Sequence, residues 1–182
     1  MRIISGQYRG KKLFSPASDK VRPTSDRARE ALFNILHAML ENPWSEYKFL
    51  DIFSGTGAVG LEALSRGAKQ VCLIDIDPQT ALKNAALFPA QQEQIRIIRA
   101  DAQCLPFSKE AYDIVFLDAP YKKGLSETAL LQLHTQNWLK HNALCLVEVE
   151  KSETLNVPEC YQVFDERHYG LAKIIFMHYL PE

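Results

Sequence analysis

Five short apolar segments between residues 49 and 149 restrict the fold more than any other feature of this chain. They are rich in branched aliphatic residues, and segments with helical spacing of apolar side chains separate them. Near-continuous apolar strands are buried on both faces, which is typical of a parallel sheet covered by helices on each side. We predict strands at 49–53, 71–75, 95–100, 112–117 and 144–149, and helices at 59–66, 78–87 and 126–139.

Both ends of the chain depart from this alternation. Residues 161–166 and 172–179 are strand-like and are joined by a short polar link, which predicts an antiparallel hairpin on the sheet edge. Residues 1–14 have the pattern of a short β-hairpin, and a helix is predicted to begin at Ser25 or Asp26. The predicted fold class is α/β: a doubly wound, mostly parallel sheet of seven strands with an antiparallel C-terminal edge hairpin and a small N-terminal hairpin and helix extension.

The composition narrows the class of protein. Hydrophobic residues make up 47% and charged residues 24% of the 182 residues, as in an ordinary globular protein. No apolar run approaches the roughly 20 residues of a membrane helix, and the N-terminus lacks a signal-peptide pattern, so we expect a cytoplasmic protein with no membrane partner. The four cysteines and five histidines are widely scattered, so we expect no metal site.

Charge is distributed unevenly along the chain. Residues 1–40 carry eight basic and three acidic side chains, whereas the whole chain has a net charge of −1. A basic arm on a mildly acidic body is expected where one face meets phosphates, although an ordinary solvated surface would also explain it. We therefore divide the chain into a basic segment for nucleic-acid docking, residues 1–42, and a second domain, residues 43–182.

A glycine-rich loop follows the first predicted strand and opens a helix. Gly55, Gly57 and Gly60 permit a tight turn and close approach of a ligand to the backbone. Asp75, at the end of the next strand, is placed to bind a ribose hydroxyl. This pattern fits a nicotinamide dinucleotide as well as S-adenosylmethionine, and a purely structural turn is the third alternative.

Two acidic positions favour S-adenosylmethionine over a dinucleotide. Asp51 precedes the glycines and is placed to pair with an ammonium group, which methionine has and nicotinamide dinucleotides lack; the alternative is a carboxylate that caps loop amides. Asp101 and Ala102, after the third strand, are candidates for contact with the adenine. Phe53, in the glycine-rich loop, completes the predicted cofactor-binding residues.

A carboxylate, a stiffened turn and an aromatic ring follow the fourth apolar segment, at Asp118, Ala119, Pro120 and Tyr121. Asp118 and the carbonyl of Ala119 are candidate acceptors for the two N–H bonds of an exocyclic amine, and Tyr121 can stack on a base. Such acceptors favour the pyramidal, more nucleophilic form of the nitrogen. In isolation an ordinary strand-end turn would explain these residues, but the glycine-rich loop upstream favours methyl transfer.

With these residues identified, the chain resembles the single-domain bacterial guanine-N2 methyltransferases of small-subunit ribosomal RNA. The similarity covers nearly the whole chain, and its most specific part is the segment at residues 22–34, which begins Arg22-Pro23-Thr24-Ser25-Asp26-Arg27. The resemblance implies a Rossmann-like fold, S-adenosyl-L-methionine as the methyl donor, and a guanine N2 in the rRNA of a partly assembled ribosomal subunit as the acceptor. It also implies that Arg9, Lys11, Arg22 and Arg27 help to dock the RNA.

The acceptor motif departs from the family pattern at one residue. The family usually has Asp-Pro-Pro followed by Tyr or Phe, whereas this chain has Ala119 as the second residue. Pro120 still biases Ala119 towards extended geometry, but the first proline's restriction of φ is lost. We expect a less preorganised turn that remains active.

Other functions stay open on the sequence alone. A different amino-group methyltransferase, acting on DNA adenine or protein glutamine, uses a similar turn. A ribosome-assembly factor that binds RNA without catalysis is the alternative from another class, and a dinucleotide-dependent oxidoreductase is the least favoured.

Overall fold

A seven-stranded mixed sheet organises the computed structural model, which describes residues 1–15, 26–121 and 123–182. The first five strands pair in parallel, and the last two pair antiparallel at one edge. The strand order is β3-β2-β1-β4-β5-β7-β6. The strands are β1 (Lys48–Ile52), β2 (Gln70–Asp75), β3 (Ile95–Arg99), β4 (Tyr112–Asp118), β5 (Leu139–Glu150), β6 (Tyr161–Tyr169) and β7 (Ala172–Tyr179). The predicted doubly wound α/β architecture is thereby confirmed.

In the described part of the chain, four α-helices accompany the sheet: α1 (Asp26–Met39), α2 (Ala58–Ser65), α3 (Gln79–Ala85) and α4 (Leu125–Thr135). Short 3₁₀ turns lie at Trp44–Glu46 and Pro89–Gln94. The core has two clusters on opposite faces of the sheet, one with side chains from α1 and α2 and one with side chains from α4. Alternate residues of each strand enter alternate clusters: in β1, Phe49 packs in the first cluster and Leu50 in the second.

Residues 1–15 pack on the first cluster. An antiparallel bridge joins Arg2 to Lys12, as the predicted hairpin requires. The buried carboxylate of Glu62, in α2, accepts hydrogen bonds from the backbone N–H groups of Ile4 at 2.7 Å and Ser5 at 3.0 Å. Gly6 has a φ of +81°, and a Cβ there would lie 1.9 Å from the carbonyl oxygen of Ser65. This segment therefore shares the core of the sheet.

The largest differences from the predicted boundaries lie in two regions. The helix predicted at 126–139 ends at Thr135, and Leu139 already belongs to β5. Asn137 adopts a positive φ of 59°, which ends the helical path, and the buried Trp138 packs its ring on Tyr112. The C-terminal link is also shorter than predicted, because β6 continues to Tyr169, which pairs with Ala172. Apolar spacing alone did not locate either turn.

Candidate active site

Acidic side chains gather at the carboxyl ends of the parallel strands. Asp75 and Asp118 are the last residues of β2 and β4, and Asp51 is the penultimate residue of β1. Strand alternation places all three on the face of the first core cluster. Asp101 follows two residues after β3. The predicted acidic rim is therefore present, at the edge where α/β sheets bind ligands.

Asp51 is the most buried of these acids, with 2% of its surface exposed. Its Oδ2 accepts a hydrogen bond from the backbone N–H of Gly60 at 2.9 Å. Burial raises the pKa of Asp51 to about 7; the Gly60 hydrogen bond opposes this shift and the charge of Asp75 adds to it. The carboxylate does cap a backbone amide, as the alternative interpretation proposed, but this amide lies in the first turn of α2. It is also a buried acid that a nearby cation would stabilise in its charged form.

The glycine-rich loop is held to the neighbouring strand by side-chain and backbone contacts. Asp75 Oδ2 accepts a hydrogen bond from the N–H of Gly55 at 2.8 Å. The N–H of Ser54 donates to the carbonyl of Ile74 at 3.0 Å. Gly57 has a φ of +73° and immediately precedes α2, so the loop leads into a helix N-terminus as predicted. These hydrogen bonds thus define the shape of the loop without the help of a ligand.

A pocket of about 170 Å³ lies beside this loop. Four predicted cofactor-binding residues line it, together with the predicted acceptor residue Pro120. The predicted residues Asp51, Gly55, Gly57 and Gly60 are not among its lining. The lining consists of Phe53, Ile74, Asp75, Ile76, Ala100, Asp101, Ala102, Gln103, Pro120 and Leu125.

Half of this lining was not predicted from the sequence. Ile76 offered the clearest signal, because it is a large apolar residue directly after the acid that ends β2, and 64% of its surface is exposed. An exposed isoleucine at a ligand-binding edge suits contact with a planar ring. Leu125, Gln103, Ala100 and Ile74 gave no such signal, since their approach to the pocket depends on the tertiary fold.

The predicted acceptor residues form the turn after β4. Asp118 is half-buried, Ala119 is buried and Pro120 is exposed. The ring of Tyr121 is 40% exposed, and its hydroxyl donates a hydrogen bond to Oε1 of Glu148 at 3.0 Å. Because Pro120 also lines the pocket, the turn and the pocket share a wall.

Glu148 is a further candidate site residue, which was not predicted from the sequence. It lies in β5 and pairs in register with Asp118 of β4. Burial raises the pKa of its carboxyl group, and the hydrogen bond from Tyr121 opposes this shift. The available signal was an acid inside an otherwise apolar strand segment, residues 144–149.

The predicted RNA-docking residues have different environments. Arg9 and Arg27 are exposed, whereas Arg22 lies outside the described residues. Lys11 is half-buried: its Nζ donates to the carbonyl of Leu87 at 2.7 Å. Arg29, counted in the basic arm, is fully buried and donates to Asp26 Oδ1 at 3.0 Å. Lys11 and Arg29 thus bind groups of the protein itself. A role of the other basic residues in RNA docking stays a prediction.

The described residues contain neither a metal-binding cluster nor a membrane-spanning helix. Among those residues, no group of three or more His, Cys, Asp or Glu side chains is arranged to hold a metal ion. None of the described helices has the length and apolar character that crossing a membrane requires.

The mostly parallel sheet, the glycine-rich loop after β1 and the similarity to a solved methyltransferase structure place the chain in the class of Rossmann-like methyltransferases. Within that class, the chain belongs to the family described as Conserved hypothetical protein 95, whose model matches residues 1–178. The fold class and the family resemblance drawn from the sequence are both confirmed.

Named relatives and a solved structure agree with this membership. Over 178 residues, the chain is 38% identical to Ribosomal RNA small subunit methyltransferase D of Haemophilus influenzae, covering 94% of this chain and 90% of that protein. The Escherichia coli protein of the same name is 39% identical over 175 residues, covering 93% of this chain and 85% of that protein. A solved structure from Escherichia coli, assigned as a methyltransferase, superposes with a TM-score of 0.83 at 36% identity, covering 100% of this chain and 99% of that one.

Proposed function

We propose that this protein transfers a methyl group from S-adenosylmethionine to the N2 amine of a guanine in small-subunit rRNA. The names of the relatives support a small-subunit rRNA substrate. The observation that carries the reaction is the shared wall: Pro120 belongs to the acceptor turn and also lines the cofactor pocket. A base held by that turn would therefore lie next to a methyl donor held in the pocket.

The residues around the pocket fit this methyl donor. Asp51 is buried with a pKa of about 7, so an ammonium group would stabilise its charged form. Asp75 would bind a ribose hydroxyl, and Asp101 and Ala102 would contact the adenine; all three line the pocket together with Ile76. When bound, S-adenosylmethionine supplies a methyl group on a positively charged sulfur, which is a strong electrophile.

The acceptor turn would prepare the amine. An aryl amine is a weak nucleophile because its lone pair is delocalised into the ring. Asp118 and the carbonyl of Ala119 would each accept one N–H hydrogen bond, which favours the pyramidal nitrogen and directs its lone pair at the methyl group. Tyr121 would stack on the base, a contact worth roughly 1–3 kcal/mol. Asp118, or a water beside it, would take the proton after transfer.

RNA would dock through the basic N-terminal segment. Arg9 and Arg27 are exposed, so their charge is accessible to phosphates. The target base would have to be unpaired or flipped out to reach Tyr121. A partly assembled small subunit, in which rRNA segments are still accessible, is the substrate that we propose.

The test is methyl transfer to small subunits that lack their guanine-N2 marks. Purified protein is incubated with labelled S-adenosylmethionine and these particles, and the RNA is digested to identify the labelled nucleoside. We expect N2-methylguanosine with the unmodified protein and none with Asp118→Ala. Glu159→Ala is the matched control, because it removes an exposed acid just before β6. This position lies at the amino ends of the parallel strands, away from Asp118.

Other outcomes would redirect the assignment. A labelled nucleoside other than N2-methylguanosine would contradict the proposed acceptor. Label in DNA or protein, with none in rRNA, would favour the other amino-group methyltransferases. Cofactor binding without transfer to any of these acceptors would favour an RNA-binding assembly factor.

A further inference from the structure

Glu148 interrupts a buried apolar strand beside the acceptor turn. It is paired in register with Asp118 on the parallel neighbour β4, and neighbouring strands are about 4.8 Å apart. Paired residues of adjacent strands project to the same face, so the two carboxylates lie side by side. On its other side Glu148 pairs with Ile174 of β7, which is buried. An acid in this position costs stability unless it has a partner.

The contact with Tyr121 shows where the carboxylate points. The Tyr121 hydroxyl donates to Oε1 of Glu148 at 3.0 Å, and the same ring is 40% exposed at the acceptor turn. Glu148 therefore reaches the platform on which a base would stack. Its carboxylate has further acceptor sites besides the one that Tyr121 uses, since an ionised carboxylate offers about four lone-pair positions.

The chemistry of a guanine edge matches this pair of acids. Guanine presents two neighbouring donors on its Watson–Crick edge, the N1–H and the N2 amine. Adenine presents an unprotonated N1, an acceptor that a carboxylate repels. Asp118 accounts for the N2 amine in the proposed function, which leaves the N1–H in need of a second acceptor next to it.

We propose that Glu148 accepts a hydrogen bond from the N1–H of the target guanine and so selects guanine over purines that lack this hydrogen. The inference rests on the proposed function and adds a specificity residue to it. Tyr121 has a supporting part, because its hydroxyl holds the Glu148 carboxylate at the edge of the base stacked on its ring.

The test compares two target bases that both carry the N2 amine. Small-subunit particles are assembled on ligated rRNA with either guanine or 2-aminopurine at the methylated position; 2-aminopurine has the amine but no N1–H. We expect the unmodified protein to methylate guanine about 10-fold to 100-fold faster. Glu148→Gln should bring this ratio close to one, because its amide can donate to the bare N1 and no longer offers a charged acceptor.

Tyr121→Phe is the companion variant. It removes the hydroxyl that holds Glu148 but keeps the ring and the carboxylate, so it should reduce the preference for guanine by less than Glu148→Gln does. The ratio is measured within one preparation, so it does not depend on the folded fraction of a variant. A Glu148→Gln ratio equal to that of the unmodified protein would overturn the inference alone. An unmodified protein that forms no N2-methylguanosine would overturn the proposed function and this inference with it.

Discussion

The two halves of the candidate active site are built differently. On the cofactor side, buried or half-buried carboxylates hold the loop: Asp51 accepts from Gly60 at 2.9 Å and Asp75 from Gly55 at 2.8 Å. On the acceptor side, Pro120 and Tyr121 are exposed at the turn, and the Tyr121 hydroxyl reaches across to Glu148. The cofactor loop is held by hydrogen bonds from its backbone to these carboxylates, whereas the acceptor turn exposes Tyr121, whose hydroxyl is bonded to Glu148.

This difference suggests a division of work. A preformed loop loses little conformational freedom when a small ligand binds, so the cofactor side should bind its ligand without RNA. The acceptor turn presents an exposed ring and a carboxylate, whose natural partners are the face and edge of a base. We therefore expect the base to complete the acceptor side. Variants of the two sides should separate cofactor binding from methyl transfer.

The largest effect is expected from Asp118→Ala. Loss of one acceptor that acts on the reacting amine should reduce methyl transfer by about 10²-fold to 10³-fold, by analogy with the removal of one hydrogen-bonding group from other active sites. Asp118→Asn keeps an acceptor oxygen and should retain more activity than Asp118→Ala. Single-turnover rates with saturating cofactor measure this. Equal losses in both variants would show that methyl transfer depends on the negative charge of Asp118 rather than on its hydrogen bond.

Asp51 should make cofactor affinity depend on pH. Its pKa of about 7 in the free protein lies above the ordinary aspartate value, so the carboxyl becomes protonated as the pH falls below 7 and can no longer pair with an ammonium group. Affinity for S-adenosylhomocysteine should fall by up to about tenfold per pH unit between pH 7 and 5.5. Calorimetric titrations measure this slope. Asp51→Asn should bind more weakly at pH 7 and show a flat profile; a slope that persists in this variant would contradict the assignment.

Gly60→Ala should disturb the cofactor side through packing. A Cβ at this position would lie 2.2 Å from Cδ2 of Leu73 and 3.4 Å from Oδ2 of Asp51. Overpacking of this kind costs about 1–3 kcal/mol of the free energy of unfolding, and it should also weaken cofactor binding. At Gly55 a Cβ meets nothing within 4 Å, so Gly55→Ala has only the strain of its φ of +52°. Denaturant unfolding of both variants should rank Gly60→Ala as the more destabilised.

Ala119→Pro should have the smallest effect. It restores the residue usual in the family and restricts φ, so the turn should be better preorganised and turnover should rise by about two- to fivefold. Initial rates at saturating substrate test this, and cofactor affinity should not change. A variant no faster than the unmodified protein would indicate that Pro120 alone is enough to orient the carbonyl of Ala119.

The sequence predicted the parts of the molecule that depend on local pattern. Short, mostly apolar segments located the strands, and the glycines marked the loop because they permit a tight turn and close backbone approach. The acidic rim could also be predicted from the sequence, because an acid that follows an apolar strand of a parallel sheet must lie at its carboxyl edge. These predictions needed only residue type and spacing.

Long-range contacts were beyond that reasoning. Buried Asn84 donates to the carbonyls of Phe14 at 3.1 Å and Thr56 at 2.9 Å, and so joins the N-terminal segment to the cofactor loop. Glu148 became a site residue only through its register with Asp118. In each case the partner is more than 25 residues away in sequence, and no local pattern specifies it.

The most direct test of the division between the two sides is cofactor binding measured without RNA. Titration of S-adenosylhomocysteine into the free protein, Asp118→Ala and Asp51→Asn should give equal affinities for the first two and a clear loss for the third, although Asp118→Ala is defective in methyl transfer. Binding that requires RNA, or an Asp118→Ala affinity as low as that of Asp51→Asn, would contradict a preformed cofactor side and an acceptor side completed by the base.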